Sequence, residues 1–344
     1  MGTKSAAKSR YLYEINEKEE FKKTEYYAVF DSKPFSEGSY KICYKGTVKN
    51  KDGQTSVPDL FPNEECVVKV YKKYEDYDGS EFYYDLKNYF YSKNISLTFN
   101  SENQNNKKIP KMNHVNVYAS TLDKYATYNL FDFIPFRDDD QMKKIKKDEW
   151  ILIEAYIDGK YEKFINNECL CNDNTDNTVS YFMHWNWIYS KGKKLICDIQ
   201  GVKKINEYEL TDPAVQSIDK EYGESDLGPD SLIKFIYSHK HNEFCKDLPW
   251  PNEEEVKKVK KLRIIYNDTL QKQLYQEFLD SFFNKDTDSN SLDTDSNSFL
   301  IYIIIGIILV MILIPIIIRK NCKAKKRKDL EKGEMLENID YFKN

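Results

Sequence analysis

The amino-acid sequence predicts an α+β protein in which a globular domain is followed by a helical segment and one transmembrane helix. Short runs of β-branched and aromatic residues dominate the early part of the chain and indicate strands. Charged and apolar residues recur at helical spacing in residues 252–284, which predicts one or two amphipathic helices packed on the domain. Residues 299–318 carry no charge, and a helix of these 20 residues spans roughly 30 Å, the thickness of a bilayer core.

The elements of the globular domain follow one another in a simple order after an N-terminal tail at 1–10. Apolar and aromatic runs predict strands at 26–30, 66–71, 115–120, 150–157 and 195–199, and a helix at 230–241. Residues 72–112 are rich in Tyr, Asn and Lys, and we interpret them as an exposed insertion or a loop around a helix. The domain as a whole is predicted to occupy residues 11–251.

Composition excludes several classes of protein. The 344 residues include 52 basic and 56 acidic side chains, and the near-balanced net charge of −4 excludes bulk nucleic-acid binding. Aromatic residues make up 15% of the chain, which argues against a wholly disordered protein. Seven cysteines are too sparse for a disulfide scaffold, and we interpret Cys169 and Cys171 as unpaired thiols. The N-terminus has no apolar run that would indicate a secretory signal.

The predicted membrane segment has different flanks on its two sides. An acidic, flexible linker at 285–298 contains the sequence DTDSNS twice, and the tail at 319–344 begins with a dense cluster of lysines and arginines. The expected partners are therefore a lipid bilayer at 299–318 and anionic lipid at the basic tail. The alternative interpretation of 299–318 is a buried core helix, although soluble cores rarely contain a helix that is apolar all round.

A lysine within an apolar strand is the first candidate functional residue. Lys69 lies in CVVKVY, where burial of its ammonium is costly unless it reaches a partner, and the alternative is an edge strand that leaves it in water. The preceding segment PFSEGSYKICYKG places Gly38 and Ser39 between two strand-like runs, with Lys41 beside them. Such a turn can present backbone N–H groups to phosphate, so these residues together indicate a nucleotide-phosphate site.

A second candidate site follows the strand at 195–199. Asp198 and Gln200 are two residues apart, so in an extended chain they lie on one face, and Asp212 comes from the next turn. Phosphoryl transfer needs a carboxylate that orients the attacking hydroxyl and oxygen ligands that hold Mg²⁺ against the phosphates. The alternative is that these acidic residues simply occupy a solvated loop.

These motifs, in this order, resemble the atypical alpha-kinases, a family that includes myosin heavy chain kinase, the elongation-factor kinase and domains fused to melastatin-type channels. The resemblance covers about residues 30–250 and implies a two-lobed kinase-like fold, with an N-lobe to about residue 153 and a C-lobe at 154–251. It implies nucleotide binding by Gly38, Ser39, Tyr40, Lys41, Lys69, Glu154 and Tyr156, catalysis by Asp198, Mg²⁺ binding by Gln200 and Asp212, and a glycine-rich segment at Gly223 and Gly228.

The histidines and one cysteine support the same resemblance. His239, His241 and Cys245 follow the pattern H-x-H-x₃-C, and His184 precedes Asp198 by fourteen residues, on what we expect to be a strand. The resemblance implies that these four residues bind a structural Zn²⁺ in the C-lobe, with His241 where the family usually has Cys. Imidazole and thiolate are preferred ligands of zinc. The alternative is a set of solvated or core histidines, which is also our interpretation of His114.

The sequence therefore predicts a membrane-anchored serine/threonine protein kinase that uses ATP and Mg²⁺ to phosphorylate a protein substrate. The alternative is a membrane-tethered nucleotide-binding pseudokinase, because the DIQG-to-LTDP connection is longer than usual in the family and the glycine-rich segment is thinned. We expect a single-pass protein with a cytosolic kinase domain, since the chemistry needs ATP. The basic tail conflicts with this topology, because the positive-inside rule places the tail in the cytosol and would suit an extracellular binding domain.

Overall fold

The computed structural model describes residues 6–15, 20–31, 33–54, 61, 64–72, 80–124 and 148–284. The chain divides into two compact units, 1–280 and 281–344, and the candidate site lies in the first. The described part of the chain contains no helix that is both long and apolar enough to cross a membrane. The predicted membrane segment at 299–318 and the basic tail lie outside the described residues.

The N-terminal half of the first unit is built around one sheet. In the described residues it has seven strands, which are β1 Ala6–Ile15, β2 Phe21–Asp31, β3 Ser36–Glu37, β4 Lys41–Asn50, β5 Glu65–Tyr71, β7 Val117–Lys124 and β8 Trp150–Ala155. Their order in the sheet is β2-β1-β7-β8-β5-β4-β3, and β2 also pairs with β4. Phe30, Val68, Tyr118 and Ile153 are buried in its core, as the β-branched and aromatic runs predict.

Of the two interpretations of residues 72–112, the structure supports a loop around a helix and not a wholly exposed insertion. Helix α1 occupies Ser80–Glu102 and buries Leu86, Tyr89 and Phe99. Its polar residues are also engaged, because the Asn88 side chain accepts a hydrogen bond from the Val215 amide and donates to the Tyr222 carbonyl. The Tyr- and Asn-rich composition of the helix therefore serves packing and hydrogen bonding across the unit, whereas residues 104–108 after it are exposed.

The C-terminal half combines small sheets with helices. β6 Lys111–His114, β12 Glu207–Thr211, β11 Gln200–Lys203 and β9 Tyr161–Lys163 form one sheet in that order, and β10 Lys194–Cys197 pairs with β13 Ala214–Ser217. The helices are α2 Asn177–Tyr189, α3 Pro229–Ser238, α4 Glu253–Lys261 and α5 Asp268–Phe283, with a 3₁₀ turn at Leu262–Ile264. The mixed α and β architecture agrees with the predicted fold class.

Helix α2 corrects one local prediction. We expected a strand around His184, but His184 lies in α2, whose N-cap Asp176 accepts hydrogen bonds from the amides of Thr178 and Val179. Every residue from Thr178 to Trp187 is buried. A helix that is buried all round shows no apolar stripe, so its sequence is not recognisable from amphipathic spacing.

Helix α5 packs on the domain through its buried face. The Tyr275 hydroxyl accepts a hydrogen bond from the Trp187 indole and donates to the Gly192 carbonyl, and Leu279 is also buried. This arrangement agrees with the predicted packing role of the helical segment.

Candidate active site

The buried lysine of β5 has partners from both halves of the unit. The Lys69 ammonium lies 2.7 Å from Glu154 Oε1 and 2.6 Å from Asp212 Oδ2, and it donates a hydrogen bond to the Thr211 hydroxyl at 3.1 Å. The side chains of Lys69 and Glu154 are only 3% and 4% exposed, whereas that of Asp212 is 33% exposed. The structure therefore excludes the alternative of a solvated edge lysine, and one carboxylate of the cluster remains accessible to solvent.

Opposite charges keep Lys69 and Asp212 ionised. Burial alone would raise the pKa of Asp212, but the ammonium groups of Lys69 and Lys41 outweigh it and lower the pKa of Asp212 to about 2. Burial alone would likewise lower the pKa of Lys69, but Asp212 and Glu154 together hold that pKa well above its usual value. At neutral pH Lys69 and Asp212 therefore form a pair of opposite charges.

Tyr89 of α1 completes the cluster, although no local pattern in the sequence selects it. Its hydroxyl lies 2.7 Å from Glu154 Oε2 and 3.1 Å from Asp212 Oδ1, and it accepts a hydrogen bond from the Asp212 amide. The spacing of Phe82, Leu86 and Tyr89 on one helical face was the signal that could have revealed this helix.

Asp198 and Gln200 lie beside this cluster. The Gln200 side-chain amide donates to Asp198 Oδ2 at 3.1 Å and to the Asp212 carbonyl at 3.3 Å. Because its NH₂ group makes these contacts, the amide oxygen is the atom that Gln200 can offer to a cation. The structure thus brings together Asp198, Gln200 and Asp212, all three of which were selected from the sequence. We call this group of side chains the catalytic edge.

The long DIQG-to-LTDP connection does not separate these residues. β11 and β12 form a hairpin in which Gln200 pairs with Thr211 and Lys203 pairs with Tyr208. Residues 204–206 between the two strands form the exposed hairpin tip, where Ile205 is 93% exposed. The register at the base of the hairpin therefore holds Asp212 next to Gln200.

Lys163 is a further residue of the site that sequence reasoning missed. It ends β9, and its ammonium forms an ion pair with Asp198 Oδ1 at 2.6 Å. Burial raises the pKa of Asp198, and Lys163 partly offsets that shift. The Lys163 side chain is 52% exposed, so its sequence context resembled that of any solvated lysine.

The remaining residues predicted to bind nucleotide lie in or next to strands of the N-terminal sheet. Ser39 and Tyr40 are exposed in the turn between β3 and β4, in which the Gly38 amide donates to the Lys41 carbonyl. The Lys41 ammonium is paired with Asp85 of α1 at 2.6 Å. A bound phosphate would therefore compete with this carboxylate for Lys41.

The segment after β8 has a defined backbone position. The Tyr156 amide donates to the Glu65 carbonyl, and the Tyr156 ring contacts the edge of Phe35 and lies 4.1 Å from the Lys45 ammonium. The Glu154 carboxylate points instead to Lys69. The Glu154 side chain is therefore already paired, and contact of Glu154 and Tyr156 with a nucleotide base stays a prediction.

The two glycines of the thinned segment have backbone conformations that favour glycine. Gly223 and Gly228 have φ angles of 84° and 77°. Asp226 between them is buried, and its carboxylate accepts hydrogen bonds from the amides of Ser217, Tyr222 and Gly228. This carboxylate fixes the turn and places Gly228 at the N-cap of α3.

A possible metal centre is formed by residues of α2 and of the segment that follows α3. Within the described residues, ligand atoms of His184, His239 and Cys245 lie within 4.8 Å of one another. His184 Nδ1 is buried and has no hydrogen-bond partner in the described part of the chain, while its Nε2 contacts the Pro249 carbonyl at 2.9 Å. His239 Nδ1 contacts the Ser180 hydroxyl. One nitrogen of each ring is thus oriented by a neighbour and the other faces the cluster, as is usual for histidine ligands.

The fourth residue predicted for this centre is near it but more open. His241 is exposed, and the centroid of its ring lies 5.0 Å from that of His184. His239 and His241 follow α3 instead of lying within it, since that helix ends at Ser238. His114 lies elsewhere, buried with Nδ1 2.7 Å from the Ser96 hydroxyl.

The interpretation of Cys169 as an unpaired thiol is wrong. Cys169 forms a disulfide with Cys197, the residue that precedes Asp198, whereas Cys171 is a free thiol. The two partners are 28 residues apart and lie on different elements. Their pairing could not be inferred from the sequence, because spacing alone does not determine disulfide connectivity.

Comparison with known proteins identifies the family of this domain. Residues 36–245 match the model of the alpha-kinase family. The chain belongs to the alpha-kinase family. It is 42% identical over 111 residues to alpha-protein kinase vwkA of Dictyostelium discoideum, which covers 31% of this chain and 18% of the relative. It is 27% identical over 216 residues to alpha-protein kinase 1 of the same organism, which covers 62% of this chain and 13% of the relative.

Solved structures show the same fold. An alpha-kinase from Entamoeba histolytica aligns with a TM-score of 0.55 at 20% identity, over 74% of this chain and 94% of that structure. The alpha-kinase domain of myosin-II heavy chain kinase A aligns with a TM-score of 0.52 at 21% identity, over 74% and 100% of the two chains. Another structure of that kinase domain contains AMPPCP and aligns with a TM-score of 0.52 at 20% identity, over 71% of this chain and 96% of that structure.

The relatives are much longer than the matched region, since the chain spans less than a fifth of the length of these curated proteins. What the comparisons identify is thus an alpha-kinase protein kinase domain with a mixed α and β fold. Membership of this family makes the domain an ATP-dependent protein kinase.

Proposed function

We propose that this protein is a membrane-anchored alpha-type serine/threonine protein kinase that transfers the γ-phosphate of ATP to a protein hydroxyl. The observation that carries the proposal is the convergence of Lys69, Asp198, Gln200 and Asp212 at one edge, through the contacts at 2.6–3.3 Å described above. Phosphoryl transfer depends on positioning and charge stabilisation, and these four side chains supply both.

Each of these residues has a distinct proposed task. Asp198, with its pKa raised by burial and its orientation fixed by Gln200 and Lys163, accepts or orients the proton of the acceptor hydroxyl. Lys69 binds nucleotide phosphates. Gln200 and Asp212 would hold Mg²⁺, which neutralises phosphate charge when bound. The Asp212 carboxylate suits this task because it is ionised and partly exposed.

The pseudokinase alternative loses its main support. It rested on the long connection and the thinned glycines, but the β11–β12 register keeps Asp212 beside Gln200. Gly223 and Gly228 still provide glycine at two positions of positive φ before α3. We therefore favour an active enzyme.

We also propose that His184, His239, His241 and Cys245 bind a structural Zn²⁺. The proposal is supported by the unpartnered buried Nδ1 of His184 and by the mixed imidazole and thiolate donor set. Burial lowers the pKa of His184 to about 4, so the ring is neutral near pH 7, which is the form that binds metals.

Membrane anchoring by residues 299–318, with a cytosolic kinase domain and the basic tail near anionic lipid, is likewise a proposal from the sequence. Protease protection of the domain in intact vesicles tests its topology. Domains on the cytosolic face would be digested, and glycans at the exposed sequon residues Asn94 or Asn267 would contradict the proposed side.

The test of the kinase activity is phosphate transfer from ATP to a basic protein substrate by the full chain in detergent. Asp198→Ala should reduce kcat by roughly 10²–10⁴-fold, the usual contribution of a positioned general base. Asp219→Ala is the matched control, because Asp219 is an exposed carboxylate that pairs with the surface residue Lys272. Equal activity of the Asp198 and Asp219 variants would refute the assignment.

A further inference from the structure

The Cys169–Cys197 disulfide lies next to Asp198 of the catalytic edge. Both cysteines are fully buried, and Cys197 ends β10 immediately before Asp198. Cys169 belongs to the turn that follows β9, the strand that carries Lys163. The bond therefore joins the segment that provides Lys163 to the strand that provides Asp198.

Hydrogen bonds connect the same two segments around the disulfide. The Asn166 carbonyl accepts from the Cys169 amide and from the Asp198 amide, each at 3.2 Å. The amides of Phe164 and Ile165 both donate to the Ile199 carbonyl. The turn and the segment that carries Asp198 are thus joined by the disulfide and by a few backbone hydrogen bonds.

The backbone at this junction is in an unfavourable conformation. Asp198 and Cys169 have φ angles of 52° and 60°, in the left-handed region that non-glycine residues seldom adopt. Such conformations cost free energy and persist only where neighbouring structure constrains them. The disulfide is one of the constraints, since it fixes one of these residues and the residue before the other.

We propose that the Cys169–Cys197 pair is a thiol–disulfide modification site whose oxidised form positions Asp198 for catalysis. This inference rests on the proposed kinase function. In the oxidised form the turn holds Lys163 and the Asp198 amide in place. In the reduced form the turn is released, and Asp198 loses its fixed orientation towards the acceptor hydroxyl.

The chemistry is exchange with a glutathione-type disulfide. Two cysteine thiols react with one low-molecular-weight disulfide to give the protein disulfide and two low-molecular-weight thiols, so atoms and electrons balance. A dithiol reductant reverses the reaction. Asn166 and Glu168 are exposed in the turn next to the bond, so opening of that turn alone gives a thiolate access to the sulfurs.

The nucleotide-binding cluster should not respond to this exchange. Lys69 and Glu154 lie on β5 and β8 of the N-terminal sheet, and their side-chain contacts described above run to Tyr89, Thr211 and Asp212 instead of to the turn that the disulfide holds. Reduction should therefore lower kcat and leave the KM for ATP unchanged. Because a displacement of about 1 Å at a reacting group can cost ~100-fold in rate, we expect kcat to fall by roughly 10-fold or more.

The experiment compares the full-length protein equilibrated with oxidised glutathione and with dithiothreitol. Peptide mapping by mass spectrometry monitors the Cys169–Cys197 bond, and steady-state kinetics give kcat and the KM for ATP. Cys169→Ser/Cys197→Ser is the test variant. Cys171→Ser is the matched control, since Cys171 is close in sequence and not disulfide-bonded.

We expect kcat of the wild type and of the control variant to fall on reduction, and that of the double variant to be low in both conditions. An unchanged kcat after verified reduction would overturn the proposal, and so would failure of the bond to form with oxidised glutathione. Loss of the cooperative thermal transition on reduction would also overturn it, because the bond would then act on the whole fold.

Hydrogen exchange separates this inference from the proposed function. Reduction should accelerate exchange of the amides at 196–200 and leave those of α5 unchanged, whether or not the protein phosphorylates the chosen substrate. Faster exchange without activity in any sample would reject the kinase assignment alone. Unchanged exchange after verified reduction would reject the positioning role of the disulfide.

Discussion

Replacement of Lys69 by methionine tests whether the buried cluster holds the two halves of the domain together. Methionine keeps most of the volume of the lysine stem and removes the charge. The change breaks contacts of 2.7 Å to Glu154 and 2.6 Å to Asp212 in a site where Lys69 and Glu154 are almost completely buried. Loss of one partner from a buried ion pair costs about 3–5 kcal/mol, because the remaining charge is uncompensated.

The structure places this variant at the lower end of that range. After the change, Glu154 Oε2 still lies 2.7 Å from the Tyr89 hydroxyl and accepts a hydrogen bond from the Thr211 hydroxyl at 2.6 Å. Asp212 is partly exposed, so water can solvate its carboxylate. We therefore expect a loss of ~3 kcal/mol in the free energy of unfolding, a large part of the usual total of 5–15 kcal/mol.

A double-mutant cycle isolates the interaction with Glu154. Glu154→Gln removes the stranded charge, so the combined Lys69→Met/Glu154→Gln variant should be more stable than the sum of the single effects predicts. We expect a coupling free energy of ~1–3 kcal/mol between the two positions. The measurement is urea unfolding followed by tryptophan fluorescence, with the midpoint and the m-value fitted for each variant.

Lys160→Met is the matched control for this cycle. Lys160 pairs with Glu162 at 2.6 Å, but its side chain is 87% exposed, so its removal should not change the unfolding midpoint measurably. The reasoning is refuted if Lys69→Met is as stable as this control. It is also refuted if the Lys69 and Glu154 effects are simply additive.

Two further predictions concern proton transfer and metal. Lys163→Met removes the cation that partly offsets the burial of Asp198, so the pKa of Asp198 should rise further. Since catalysis needs the ionised carboxylate, the acidic limb of the kcat profile should move to higher pH, and an unmoved limb would contradict this. Removal of metal by a chelator should lower the thermal unfolding temperature, because structural zinc contributes on the order of 10 kcal/mol to folding. His184→Ala should abolish both this shift and the metal content measured by atomic emission; bound zinc in that variant would exclude the proposed site.

The sequence predicted the strands and several active-site side chains better than it predicted the residues and helices that support them. Lys69 could be selected because a charged residue interrupts an apolar strand, which burial permits only with a partner. Asp198 and Gln200 could be selected because two polar side chains at a spacing of two follow an apolar run. Both signals come from residues that are neighbours in the chain, and a single sequence shows only such local patterns.

The missed parts depend on contacts between distant segments. Tyr89 lies 65 residues before Glu154 and 123 before Asp212, so nothing in its neighbourhood indicates a role in their cluster. Lys163 is one of many exposed lysines until β9 pairs with β11 and brings it beside Asp198. Helix α2 was misread because burial on all sides removes the periodicity on which helix prediction depends.

The correct position of α2 changes how a metal could affect catalysis. We expected a metal-bearing strand that continues directly into Asp198, but the connection runs through side chains of a helix. Two residues after His184, the buried Asn186 accepts a hydrogen bond from the Ile196 amide of β10 at 2.8 Å. A metal bound to His184 would therefore restrain α2, and α2 would restrain β10 at a point two residues before Asp198. A loss of metal should accordingly increase amide exchange at Ile196 before it affects the N-terminal sheet, whereas a purely local zinc site would leave that amide protected.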